Sequence, residues 1–102
     1  MLISVYRGWE GGVGWEMGSL RFDGVRFAIF VDDHPPPHVH ARYAEIAVVL
    51  DLLPGGGVVI SGRANAVRPP DAKLNDLNRI LRVARTHEAA LRELWRSLHG
   101  EG

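Results

Sequence analysis

Nine consecutive residues carry most of the chemistry this chain can offer: Asp32-Asp33-His34-Pro35-Pro36-Pro37-His38-Val39-His40. Three of the five histidines stand there beside two carboxylates. Proline fixes φ and removes backbone donors, so the middle of the run is neither ordinary helix nor central strand. Where the chain resumes as a strand, alternation sends His38, His40 and Arg42 to one face and Val39, Ala41 and Tyr43 to the other. Three chemistries suit these residue types. Imidazoles two residues apart on a strand are about 7 Å apart at Cα and can converge on one cation. His34, His38 and His40, with Asp33 or Asp32, therefore form a candidate set for a divalent metal. Three histidines with an open position suit zinc; two with a carboxylate suit iron or manganese. Alternatively, His38, His40 and Arg42 are candidates for an anion or phosphodiester site, with one imidazole as base and another as acid. In the third reading the run is scaffolding: Asp33 orients His34, and the His pair bonds to backbone and helix. The sequence leaves all three open.

The elements around the run must position it. Val25, Phe27, Ile29 and Val31 alternate with Arg26, Ala28 and Phe30, as in a strand with one buried face. Asp23-Gly24 suits a tight hairpin turn back to Leu20-Arg21-Phe22. His38 to Tyr43 reads as the next strand and Glu45 to Leu52 as another, central because Ile46 to Leu50 is wholly apolar. Pro54-Gly55-Gly56-Gly57 is a turn, Val58 to Ser61 a last strand, and Gly62 to Arg68 irregular. A helix is expected over about residues 72–98, opened by Asp71 and stopped by Gly100, with at most a kink near Thr86-His87. Arg82, Arg85, Arg92 and Arg96 flank its apolar stripe, either as a solvated edge or as a surface for phosphate or an acidic partner. His87 sits on the apolar edge and reads as a core histidine; His99 carries no signal. Leu2 to Tyr6 reads as a short strand and Gly8 to Gly18 as a loop around Trp9 and Trp15. The expected class is α+β: a small antiparallel sheet of three to five strands packed against a C-terminal helix or helix pair.

The 102 residues make one domain, 1–102. Without cysteine there is no disulfide and no thiolate catalyst or ligand. No apolar run approaches the roughly 20 residues needed to span a bilayer, and the N-terminus lacks the pattern of a signal peptide. The expected location is the cytoplasm. Formal net charge is zero, so strong nonspecific binding to nucleic acid is not indicated. Trp9, Trp15 and the apolar strand 46–50 lead us to expect a homodimer.

From Leu20 to Leu98 the chain resembles the small bacterial and archaeal proteins grouped as domain of unknown function 4160. The resemblance rests on a strand ending Phe30-Val31-Asp32-Asp33-His34, then prolines, then His38-Val39-His40-Ala41. Asp33, His34, Pro36, Pro37, His38 and His40 match an Asp-His-x-Pro-Pro-His-x-His pattern one by one. Leu77 to Leu81, His87, Leu91 and Trp95 fit the family's helix, although Ala84 stands where many members carry Trp. Residues 1–18 look like an addition to a family-like core of 20–98. Genes of this family often neighbour another small domain in pairs likened to toxin–antitoxin modules. The resemblance thus implies a partner-binding subunit of a two-gene module. A metal-dependent or His-based hydrolase or nuclease acting on a phosphodiester is the alternative.

Overall fold

The protein is seen in a computed structural model, of which residues 15–100 are described. The expected strand at Leu2–Tyr6, and Trp9, lie outside the described residues. Six strands and two helices follow one another: β1 (Glu16–Phe22), β2 (Val25–Phe30), β3 (His38–Tyr43), β4 (Ile46–Leu52), β5 (Val58–Ile60), β6 (Val67–Arg68), α1 (Leu74–Thr86) and α2 (Glu88–His99). The sheet is antiparallel in the order β1-β2-β3-β4-β5, with β6 also paired to β4. This is the expected α+β architecture.

Local chemistry explains most of the meander. Asp23 and Gly24 both take positive φ, 49° and 83°, and turn β1 into β2. In β4, buried and half-buried residues alternate along its whole length. Ile46, Val48, Leu50 and Leu52 face the core, and the strand has neighbours on both sides, as its apolar sequence requires. Phe27, Ile29, Leu50, Leu52, Ile80 and Leu91 are fully buried in that core. Burial of each such side chain contributes roughly 1.5–3 kcal/mol before entropy is counted. Ala28 and Phe30 form a small second cluster with Ala47.

Several elements differ from the sequence expectation. β1 starts at Glu16, inside the glycine-rich stretch, because the Val31 N–H donates to the Trp15 carbonyl at 2.7 Å and Arg26 pairs with Glu16. Val31 lies beyond β2 and is exposed. Residues 62–68 are not wholly irregular, since Val67 and Arg68 pair with Val48 and Ala47. The helix begins at Leu74 with Lys73 at its N-cap, so Asp71 does not cap it. It breaks into two at His87, whose ring stacks on Phe22 at 3.8 Å between centroids. The helix arginines divide. Arg85 donates to the Val58 carbonyl, while Arg92 donates to the carbonyls of Leu53 and Gly57 and to Glu88. Glu88 in turn accepts the Gly57 N–H. The Arg92 and Glu88 bonds clamp the 54–57 turn to α2, and the Arg85 bond ties α1 to β5, so Arg85 and Arg92 serve the fold.

Candidate metal centre

The loop from Val31 to Pro37 carries the chain from the end of β2 to the start of β3. Asp33 is locked at its base. Its N–H donates to the Phe30 carbonyl at 2.9 Å, and its Oδ2 accepts the Phe30 N–H at 2.8 Å. Its own carbonyl meets His99 Nε2, at the end of α2, at 3.0 Å. The exit of the loop is fixed by the Leu52 N–H, which donates to the Pro37 carbonyl. The Pro35–Pro36 peptide is cis. His38 and His40 then leave β3 with their rings 5.4 Å apart.

These placements converge on one atom. Asp33 Oδ1 lies 3.0 Å from His40 Nε2 and 3.2 Å from His38 Nε2. The ligand atoms of Asp33, His38 and His40 all lie within 4.8 Å of one another. His38 is almost wholly buried, packed beside Trp95 with ring centroids 5.3 Å apart. His99 stacks on the other part of that cluster, 3.7 Å from Trp95. The edge of Phe30 meets the His40 ring at 4.8 Å. Burial alone would push the Asp33 carboxyl up. The closeness of the His38 and His40 rings, the hydrogen bond from the Phe30 N–H and the charge of His40 outweigh it and hold the group well below the usual carboxylate range.

The protons of His38 are the most informative detail. Nδ1 lies 3.0 Å from the Pro36 carbonyl, which can only accept, and 3.3 Å from an Arg63 Nη, which can only donate. Nε2 is buried, and despite its closeness to Asp33 it makes no well-directed hydrogen bond. When the proton is on Nδ1, the shorter of the two contacts is satisfied and the Nε2 lone pair faces a carboxylate oxygen. That arrangement lacks one positive charge between His38 Nε2 and Asp33 Oδ1. A proton can supply it, and so can a metal ion. Cis ligands at about 2.1 Å from an ion are separated by roughly 3.0–3.4 Å, depending on octahedral or tetrahedral geometry. The two nitrogen–oxygen separations around Asp33 lie at or within that range.

The four-residue set expected from sequence is thus divided. Asp33, His38 and His40 come together, while His34 is exposed on the loop and stands apart from them, as does exposed Asp32. The Phe30 N–H draws Asp33 inward, and its two chain neighbours remain outside. Arg42 is half-buried on β3 opposite Arg26 and Ala47 and is not part of the cluster.

The family described as Domain of unknown function (DUF4160) matches residues 24–96. The chain belongs to this family. Searches of curated proteins and of solved structures each gave no significant match. The DUF4160 match runs from the β1–β2 turn into α2 and so contains all three clustered residues, Trp95 and Arg63. His99, which holds the Asp33 carbonyl, lies beyond it. Sequence reading missed Arg63 and His99 as site residues. Each reaches the cluster from a distant part of the chain, and neither stands in a pattern that marks it.

Proposed function

We propose that this protein binds one divalent transition metal through Asp33 Oδ1, His38 Nε2 and His40 Nε2, and that the site serves hydrolysis of a phosphodiester. The observation that carries the metal reading is the convergence of those three atoms within 4.8 Å. Two histidines and a carboxylate suit zinc, manganese or iron, and three protein ligands leave positions for water and substrate. A metal there would supply a nucleophilic hydroxide at neutral pH. The Pro36 carbonyl is the outer partner that keeps the His38 proton on Nδ1 and its lone pair on Nε2. The test is elemental analysis of untagged protein, then calorimetric titration with Zn²⁺ and Mn²⁺. One equivalent should bind to the wild type with better than micromolar affinity, and His38→Ala and His40→Ala should each abolish it. Hydrolysis of bis(p-nitrophenyl) phosphate should depend on the added metal. Absence of uptake in the wild type refutes the metal reading; uptake without hydrolysis refutes the hydrolase.

A second reading, a partner-binding subunit of a two-gene module, comes from family resemblance. What supports it is an exposed apolar group at the sheet edge. Trp15 is 65% exposed, Met17 and Val31 are exposed with it, and the Trp15 carbonyl is bonded to Val31. Light scattering on the protein alone and with the product of the adjacent gene tests it. A mass of about 11 kDa in both samples counts against a homodimer and against this partner.

A further inference from the structure

We infer that the sheet face turned away from the helices binds single-stranded nucleic acid, whose phosphates lie on a row of arginines made by Arg21, Arg26, Arg42 and Arg68. The inference needs no metal and is independent of the centre proposed above.

Formal net charge is zero, but the fold gathers like charges. In the register of the sheet, Arg21 of β1 stands opposite Arg26 of β2, and Arg26 opposite Arg42 of β3. Arg42 stands opposite Ala47 of β4, and Ala47 opposite Arg68 of β6. Residues directly opposite one another share a face. It is the face away from α1 and α2, because the chain neighbours Phe27 and Ala41 lie in the core with Ile80 and Leu91. Arg21 and Arg68 are exposed, and Arg26 and Arg42 are half-buried. With strands about 4.8 Å apart, the row runs for about 19 Å, and Arg42 and Arg68 stand roughly 10 Å apart across Ala47. One phosphate cannot bridge that line, whereas a chain of phosphates can. The guanidinium fork suits phosphate oxygens better than an ammonium does. Like charges directly opposite on neighbouring strands disfavour one another, and a polyanion laid over Arg21, Arg26 and Arg42 relieves that repulsion. The strand carboxylates of this face, Glu16 and Asp51, stand in register with Phe30 and His38, away from the row, and Glu16 reaches back to Arg26. The turns beyond the row carry Glu45 and Asp23, and Asp23 approaches His87 at 3.9 Å. A single line of cations follows one sugar–phosphate backbone, while a duplex presents two across a groove. His40 is the next residue along β3 on the same face, and it lines a small cavity with Ala47, Asn65 and Arg68. A strand held on the row therefore runs beside a residue of the proposed metal site.

The probes are fluorescein-labelled oligo(dT) and oligo(rU) strands of about a dozen nucleotides, titrated with full-length protein in EDTA and read by anisotropy between about 50 and 200 mM salt. The wild type should bind both, with log affinity falling against log salt by roughly 0.7 for each phosphate neutralised, or about 2–3 in all. Arg21→Gln, Arg42→Gln and Arg68→Gln should each reduce that slope by about 0.7, and the double variant Arg42→Gln/Arg68→Gln should bind at least about tenfold more weakly at the lowest salt. Arg68→Lys keeps the charge and should keep the slope. Arg82→Gln removes the same charge from the exposed side of α1 and should bind like the wild type. Circular dichroism checks that each variant is folded; should Arg42→Gln unfold, the exposed Arg21 and Arg68 carry the test. Row variants that bind like the wild type overturn the inference, as does an equal loss in Arg82→Gln or a wild type that binds neither strand. Tighter binding to a duplex of the same length overturns the single strand as ligand. Tighter binding to poly-glutamate overturns nucleic acid in favour of an acidic protein. Because every sample holds EDTA, a protein that binds strands through the row and takes up no metal leaves this inference standing and removes the metal centre alone.

Discussion

Replacing Asp33 with Asn tests the centre at the atom on which it converges. The substitution is nearly isosteric. The Asn carbonyl can still accept the Phe30 N–H that Oδ2 accepts at 2.8 Å. The amide NH₂ then takes the place of Oδ1, opposite two ring nitrogens that sat 3.0 and 3.2 Å from an anion. It can donate to a ring nitrogen that carries a lone pair, so one contact survives in neutral form and one charge-assisted contact is lost. Such a contact is worth about 1.5–3 kcal/mol. The Asp33 side chain is only 11% exposed, so solvent screening takes little from it. We expect Asp33→Asn to lose about 2 kcal/mol at pH 7 in the presence of chelator, a fall of roughly 10 °C in Tm for a domain of this size. The pH dependence has a definite sign. The folded carboxyl titrates below its unfolded value of 3.8. Its contribution is therefore fully present above about pH 4 and is lost as pH falls through the lower folded value. The wild type should descend towards the variant on acidification, and the gap between them should narrow from pH 5 to pH 3. Urea unfolding followed by circular dichroism at pH 7, 5 and 3 measures this. A gap absent at pH 7, or one that persists unchanged at pH 3, would refute the reasoning.

Other substitutions separate ligand from scaffold. His34→Ala should leave metal uptake intact and stability within about 0.5 kcal/mol of wild type, because the side chain is exposed and apart from the cluster; loss of metal uptake in calorimetry would return it to the ligand set. Arg92→Ala should cost about 1–2 kcal/mol, since it frees the Leu53 and Gly57 carbonyls from α2. It should also open the 54–57 turn to limited proteolysis while metal affinity is unchanged, and a variant that resists protease like the wild type would contradict the clamp.

What was legible in the sequence was what repeats or is local. The period-two pattern of β2 and the unbroken apolar run of β4 located the core strands, and Asp23-Gly24 located the first turn. The spacing His38-Val39-His40 paired two imidazoles because strand geometry fixes that separation. The glycines hid the start of β1, which is set by a bond from Val31 to Trp15. The pairing of β6 spans two residues, too few for any periodicity. The choice among Asp32, Asp33 and His34 was also closed to sequence, since composition gives each of them a chemistry. A single backbone bond from Phe30 decides which turns inward. His99 and Arg63 arrive from the far end of the chain and from an irregular segment, so only the fold brings them to the site.

Scaffolding and the proposed metal site would divide the atoms of this corner between them. The N–H, carbonyl and Oδ2 of Asp33 are engaged with Phe30, His99 and Phe30 again. All three bonds are structural, and none uses Oδ1. His38 Nδ1 is engaged with Pro36, and the bond does not use Nε2. The atoms left over, Oδ1 and Nε2, are those that converge with His40. Here the network fixes each residue by one set of atoms and presents another set, ordered in advance, to a positive charge. Such preorganisation lowers the entropy cost of binding, and it means that His38→Ala should lose both stability and metal. Substitution of His40, a half-buried residue of the proposed site with 19% of its side chain exposed, should lose mainly metal. The ratio of the two losses across this pair of variants, not either loss alone, tells a ligand from a strut.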